Sequence, residues 1–305
     1  MEQISKLKPG SGALLVFILT AGVFGIINTE MGVIGILPLI AEHFHVTVPE
    51  AGWTVSIFAL VVAISAPITP LLFSGINRKK VMLLALGVFT LSNIISMLTS
   101  NFTLLLIARA LPAFLHPVYV SMAFTVAAAS VSKEKAPKAV AKVFIGVSAG
   151  MVLGVPVTSY IASEVSFTMG MMFFTVVNAL VFMATLLFVP SMPVKEKLSY
   201  GAQLNVLKKK IIWYSIMAVT LINGALFGFF SYMSDYLRTV TEVSYSVISI
   251  LLMIYGLANI TGNVIAGKQL ATNPIRSMIF IPFALFTFYT VSYTHLRAHE
   301  TSLHL

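Results

Sequence analysis

The chain has no cysteine. That excludes disulfides and thiolate metal sites and leaves the redox compartment unread. Charge is scarce too: 10% of the 305 residues are Asp, Glu, Lys or Arg, where a soluble domain carries about 25%. Hydrophobic residues make up 58% of the chain, and the mean hydropathy is +0.96. So few charges point to an integral membrane protein, for which length does not count domains. A phosphate-cradling glycine loop is missing, which argues against ATP as an energy source. Metal-ligand spacing is missing as well. The net charge of +9 would suit nucleic acid, but the placement of the basic residues says otherwise.

What is present is a series of long apolar runs. The first, about Ala13 to Ile40, is interrupted only by Asn28-Thr29-Glu30. It is too long for a signal-peptide core and long enough to span a bilayer with tilt. Further spans are expected at 51–74, 81–99, 103–129, 140–163, 168–190, 211–236, 245–267 and 277–292, nine in all. The loops between them alternate in charge. One side carries Lys6, Lys8, Arg78, Lys79, Lys80, Lys133, Lys135, Lys138, Lys142, then five lysines between 195 and 210, Lys268 and Arg276. The other carries Glu42, Glu50, Glu164, Asp235 and Glu242 with only Arg238 against them. The positive-inside rule puts the basic side, and with it the N-terminus, in the cytoplasm. It also explains the basic balance without nucleic acid.

A shift of about 192 residues places Thr47, Val48, Glu50, Leu60, Ile68, Thr69 and Gly75 on Thr239, Val240, Glu242, Leu252, Ile260, Thr261 and Gly267. Two six-span halves are one transporter plan that yields such a repeat. The expected division is a six-span bundle at 12–190, a cytoplasmic linker at 191–210, and a partial second bundle of three spans at 211–291. The final stretch "SYTHLRAHETSLHL", residues 292–305, loses its hydrophobicity and holds His295, His299 and His304. It resembles translated sequencing-adapter read-through rather than a metal-binding tail. The expectation is a natural chain of about 385 residues with twelve spans.

Four stretches carry chemistry: "TEMGVIGILPLIAEHF" in span 1, "FSGINRKKVMLL" between spans 2 and 3, "LLLIARALPAFLHPVY" in span 4 and "GVSAGMVLGVPVTSYI" in span 5. Together they resemble the major facilitator superfamily, closest to its proton-coupled drug and sugar efflux permeases of the arabinose type. The resemblance covers about residues 12–290 and implies an all-α membrane protein of two helical bundles. It implies a cytoplasmic gate loop at Gly75, Asn77, Arg78, Lys79 and Lys80, with Asn77 standing near the place of the family's aspartate. It implies an antiporter-type motif at Gly146, Gly150, Gly154 and Pro156, with Val155 intervening before the proline. Spacing of four puts those glycines on one helix face, which permits close helix approach. It also implies a functional membrane arginine at Arg109.

Glu30 is the puzzle of the first span. A lone carboxylate in hydrocarbon costs several kcal/mol unless it is paired, hydrated or protonated. Counting from the outer ends of spans 1 and 4, Glu30 and Arg109 both lie roughly 9–12 Å deep. Desolvation disfavours the carboxylate's charge and a neighbouring cation favours it. Glu30 is therefore the expected proton-coupling carboxylate and Arg109 its modulator. Asn28, His116, Asn178 and Asn223 are candidate substrate-cavity residues. The expected function is proton-driven efflux of small molecules such as drugs or sugars, with an uptake symporter or facilitator as the alternative. An intramembrane enzyme would need a constellation beyond Glu30, Arg109 and His116, and a receptor would usually carry a soluble output domain. The remaining expectations are no cofactor beyond the proton gradient, no metal, membrane lipid as a partner, a monomer, and the inner membrane of a bacterium.

Overall fold

The computed structural model describes residues 11–132, 135–194 and 208–272, with scattered positions between 276 and 290. Among these residues all regular structure is helical, the all-α membrane architecture that the sequence leads one to expect. Seven helices are long and apolar enough to cross a membrane. Span 1 is Gly12–Phe44, span 2 Val48–Ser65, span 3 Arg78–Leu98 and span 4 Phe102–Ala129. Span 5 is Lys138–Glu164, span 6 Phe167–Phe188 and span 7 Lys210–Thr239. An eighth helix, Tyr245–Thr272, is apolar over Tyr245–Ala258 and is called span 8 below. The expected span at 277–292 lies largely outside the described residues, as do most of the linker at 191–210 and the tail at 292–305.

Local chemistry sets the helix ends. His45 adopts the left-handed conformation that terminates span 1, with φ 55°. Thr47 and Glu50 then form a capping box that opens span 2. Asn77, Asn101 and Ser166 cap spans 3, 4 and 6, each side chain accepting from a backbone N–H of the first turn. Span 2 ends earlier than the expected residue 74. Its regular helix stops at Ser65, and Pro67 and Pro70 follow with a short helix at Thr69–Leu72, because a proline disfavours helix at the residue before it.

Two spans run through prolines: span 4 through Pro112 and Pro117, span 5 through Pro156. A proline offers no N–H to the carbonyl four residues earlier. For Pro117 that carbonyl is Ala113's, and Ser65 Oγ of span 2 donates to it at 3.5 Å. In a bilayer such a carbonyl has no water to turn to, so a neighbouring hydroxyl is the usual remedy.

Span 1 is the axle of the first six spans and packs most extensively against span 5. Span 3 packs against spans 4 and 6, and span 2 against span 4. Tyr119, Phe58 and Phe89 fill the interior of this bundle. Large apolar residues such as Leu91, Leu98, Leu180 and Leu187 are exposed on its outside, as a surface facing lipid requires. Span 8 joins the bundle through span 5, where Val155, Ile248 and Leu252 make a buried seam. Polar contacts extend it: Ser249 Oγ donates to Ser159 Oγ at 3.2 Å, and Ser246 donates to the Glu164 carboxylate.

Candidate functional site

The site begins where span 1 changes its winding. An α-helix over Ser11–Met31 passes into a 3-10 segment at Gly32–Ile36 and then into a second α-helix at Leu37–Phe44. A mid-helix 3-10 stretch of this kind often marks a functional position. Asn28, Thr29, Glu30 and Met31 are the last residues before the change. Gly32 and Gly35 let the tighter segment lie close to its neighbours. A Cβ on Gly32 would fall 2.5 Å from the Phe174 ring, and one on Gly35 2.8 Å from Val155.

Arg109 is 3% exposed, and its guanidinium is fully committed to backbone. One terminal nitrogen donates to the Thr29 carbonyl at 2.6 Å, the other to the Glu30 carbonyl at 3.1 Å, and Nε to the Thr54 carbonyl at 3.2 Å. The same guanidinium lies 4.9 Å from the centroid of the Phe58 ring, a cation–π contact. Arg109 thus ties spans 1, 2 and 4 together at the winding change. Its side chain does not pair with the Glu30 carboxylate.

The carboxylate goes to His116 instead. Glu30 Oε2 and His116 Nε2 are 3.1 Å apart, the side chains 17% and 12% exposed. The distance is that of an ion pair, while the alignment of a hydrogen bond is not met. Phe58 stands edge-on to the imidazole at 5.9 Å, so one phenyl ring separates His116 from Arg109. The direction of the side chains explains the exchange of partners. In a helix each Cα–Cβ bond tilts toward the helix N-terminus. Spans 1 and 4 run in opposite directions, so Glu30 leans toward the deeper His116 and Arg109 leans the other way. Matching residues by depth alone misses this.

Behind the pair lies a fully packed amide network. Thr29 Oγ1 accepts from Asn178 Nδ2 at 2.9 Å and from Asn93 Nδ2 at 3.2 Å, and it donates to the Gly25 carbonyl at 3.0 Å. Asn178 also donates to the Phe174 carbonyl at 2.9 Å. It is fully buried and belongs to the joint between spans 1, 3 and 6, not to a cavity wall. Asn28 is equally buried, and its amide has no hydrogen-bond partner among the described residues. Its Oδ1 lies against Gly154, 2.5 Å from where a Cβ would stand. Gly150 faces Ile27 in the same way at 2.8 Å, and Gly146 abuts the Thr20 carbonyl. The glycine face of span 5 therefore lies on span 1, while Val152 and Val155 of span 5 turn to span 8.

A cavity of ≈ 260 Å³ lies between spans 1 and 5 on one side and spans 7 and 8 on the other. Met31 and Met151 floor it, Phe227, Phe230 and Tyr255 wall it, and Asn223 adds an amide. Phe230 and Tyr255 are stacked at 4.9 Å. Of the four expected cavity residues only Asn223 is on this lining; His116 is held at Glu30, and Asn28 and Asn178 are in the packed joints. Thr29, Phe58, Met31 and Tyr255 were not singled out from sequence. The one signal was that Thr29 and Met31 flank Glu30.

The loop expected to act as a gate occupies the opposite end from the Glu164–Ser246 contact. Gly75 sits in the turn before span 3. Asn77 Oδ1 accepts from Lys79 N at 3.0 Å and from Met192 N at 3.2 Å, and its Nδ2 donates to Ser191 Oγ at 2.7 Å. Arg78 N donates to the Met192 carbonyl at 3.1 Å, and Lys79 Nζ to the Leu186 carbonyl at 2.9 Å. Loop and span-6 exit are thus bound together. An aspartate at 77 could not donate to Ser191. Lys80 is exposed and Pro156 is fully enclosed in span 5.

Comparison with known proteins adds the following. Residues 14–302 match the family described as Major Facilitator Superfamily. The chain is 32% identical over 275 residues to "Uncharacterized MFS-type transporter YtbD" of Bacillus subtilis (strain 168), covering 90% of this chain and 69% of that one. It is 25% identical to "Probable sugar efflux transporter" of Helicobacter pylori (strain P12), covering 89% and 68%. Among solved structures, a bacterial homolog to the human lysosomal transporter Spinster, inward-facing and occupied, superposes with a TM-score of 0.71 at 16% identity over 89% of this chain and 64% of that one. The last likeness shows the fold alone. The chain spans about two thirds of the length of these proteins.

Proposed function

Because the chain belongs to the major facilitator superfamily, a family of membrane transporters, we propose that the whole protein is a proton-driven antiporter that exports small molecules such as drugs or sugars. The observation that carries this is the partly buried Glu30–His116 pair, 3.1 Å apart, one residue from the cavity floor at Met31. An ionisable group at membrane depth is costly to hold and marks an ion pathway when it lies beside a cavity. Glu30 carries the coupling proton. His116 receives or returns it, as an imidazole can at either ring nitrogen. Arg109 keeps the backbone under Glu30 in place and adds a fixed positive charge nearby. Export as the direction is supported by the span-5 glycine motif and by the name of the Helicobacter relative. The basic loops support a cytoplasmic N-terminus, and the setting is a bacterial inner membrane with the protein a monomer.

Glu30→Gln keeps the shape and removes the titration. In the whole protein it should abolish uphill, proton-driven export while cargo exchange down a gradient persists. Export against a gradient by Glu30→Gln, at the wild-type rate and still dependent on the proton gradient, overturns the assignment.

A further inference from the structure

The glycine face of span 5 meets span 1 in a regular ladder. Thr20 stands against Gly146, Phe24 against Gly150, Asn28 against Gly154, and Gly32 against Thr158. The two members of every pair are 126 positions apart, so the spans run parallel with one rung per helical turn. In the first three rungs span 5 supplies the glycine and span 1 the bulk. At the fourth the sense reverses. The glycine is now Gly32 of span 1, and Thr158 of span 5 comes against it, with Oγ1 3.0 Å from where a Cβ on Gly32 would stand. The side chains of Asn28 and Thr158 therefore enter one slot from opposite helices, one turn apart.

Both residues are polar, and both are 0% exposed. Among the described residues neither side chain has a hydrogen-bond partner: Asn28 Nδ2, Asn28 Oδ1 and Thr158 Oγ1 are all unmatched. A threonine inside a helix has a ready partner in the carbonyl four residues back. Thr20, Thr29 and Thr90 use it, at 2.8, 3.0 and 2.8 Å. Thr158 forgoes it, and its hydroxyl lies on Gly32 instead. Its neighbour Ser159 is matched elsewhere, to the Gly35 carbonyl and to Ser249 Oγ. The Phe174 ring, itself 1% exposed, covers Gly32 beside Thr158. Buried polar groups left unmatched are unfavourable. Two groups one turn apart are too distant to bond each other, but a single water with two bonds of about 2.8 Å spans roughly that distance. A buried water needs at least two polar partners. An amide and a hydroxyl each donate and accept, so either orientation of the water is served. Two side-chain oxygens, one beside an N–H group, are too few for a hard cation.

We propose that spans 1 and 5 hold one ordered water in this slot, bridging the Asn28 amide and the Thr158 hydroxyl. The joint is dry along its glycine rungs and wet at the level where span 1 changes its winding. The water holds Asn28 in place, two residues before Glu30. This stands apart from the transport reading.

The test is a double-variant cycle, read as the midpoint of heat challenge of the detergent-solubilised whole protein. Asn28→Leu and Thr158→Val each approximately keep the shape. With water in the slot, either change leaves the water a partner short and strands the opposite polar group. Each should lower the midpoint by on the order of 5 °C. The double variant makes the slot apolar throughout and should regain most of that loss. In a dry slot the signs reverse: each substitution relieves an unmatched group and raises the midpoint, and the two effects add. Single variants that raise the midpoint or leave it unchanged overturn the inference, and so does a double variant equal to the sum of the singles. The second reading is direct. A cryo-electron-microscopy map of the whole protein in nanodiscs, fine enough to show ordered water elsewhere, should show one peak within hydrogen-bond distance of both Asn28 and Thr158. No peak there, or Asn28 bonded directly to Thr158, overturns it. Replacing sodium by choline should leave the midpoint unchanged; a midpoint that follows sodium places a cation in the slot and overturns the inference as well.

Discussion

Replacing Arg109 by lysine, conservative by charge, should damage the protein more than replacing it by methionine. The guanidinium is 3% exposed and makes three hydrogen bonds to carbonyls on two different spans. Lysine keeps the buried charge, but its compact ammonium cannot reproduce the planar fork that reaches Thr29, Glu30 and Thr54 together. Two of the three bonds are lost. At about 1.5–3 kcal/mol for a bond to a charged group, the cost is about 3–6 kcal/mol. Methionine loses all three bonds, but it also removes the desolvated charge and retains contact with Phe58. Replacing a buried charge and its bonds by an apolar side chain of similar volume is often close to neutral, so a cost of about 1–3 kcal/mol is expected. For a protein of this size each kcal/mol moves the midpoint by about 2–4 °C. Lysine should then lower it by on the order of 10 °C and methionine by about half as much or less. The assay is heat challenge of the detergent-solubilised protein followed by size-exclusion detection of the remaining monodisperse peak. A lysine variant as stable as the wild type, or more stable than the methionine variant, refutes the idea that the fork geometry rather than the charge is what spans 1, 2 and 4 rely on.

Thr29→Val keeps the shape and withdraws the acceptor shared by Asn93 and Asn178; Asn178 still donates to the Gly25 and Phe174 carbonyls, so the cost falls on the buried Asn93 amide, a loss of about 1–3 kcal/mol is expected in the same heat assay, and no loss would show that the network is incidental. Gly150→Val places methyl groups where a Cβ alone would meet Ile27 at 2.8 Å and the Phe24 carbonyl at 3.1 Å. Spans 1 and 5 must part, and the destabilisation should be at least the ~1–3 kcal/mol of ordinary overpacking, whereas the same change at Gly224, which has nothing within 4 Å among the described residues, should be neutral. Since the chain has no cysteine, Glu50→Cys and Ser199→Cys report sidedness directly: an impermeant thiol reagent on intact cells should label the first only, and labelling of the second alone would invert the orientation.

The architecture was readable because each span advertises itself independently. A run of about 20 apolar residues states its own length requirement, and the basic loops alternate without reference to tertiary structure. The glycine face of span 5 was readable for the same reason, since a period of four needs no knowledge of the partner helix. The site was only half readable. Glu30, Arg109 and His116 stood out as polar residues in greasy helices, but depth along a helix is one coordinate and side-chain direction is another. Span 1 and span 4 run oppositely, so equal depth of Cα atoms sent Arg109 to backbone carbonyls and gave the carboxylate to His116. Asn178 shows a second limit: an amide in a span is written the same way whether it faces a cavity or a neighbouring carbonyl, and only the packing of Thr29 and Gly25 against it decides. The cavity itself was least legible, because its walls are Met, Phe and Tyr, the residues that also face lipid everywhere else.

Among the described residues that cavity wall carries no charge, which bears on the electrical side of the proposed cycle. If the cargo is uncharged and one proton enters for each molecule that leaves, the proton is the only carrier of net charge, and every turnover moves one elementary charge across the bilayer. The transmembrane voltage then drives the cycle directly, alongside the pH difference, at about 2.3 kcal/mol for each ~100 mV. That alone sustains roughly a fiftyfold outward gradient of cargo. A monovalent cation leaving in exchange for one proton would cancel that current, so under the proposed exchange it is an uncharged cargo that would make the membrane potential a fuel.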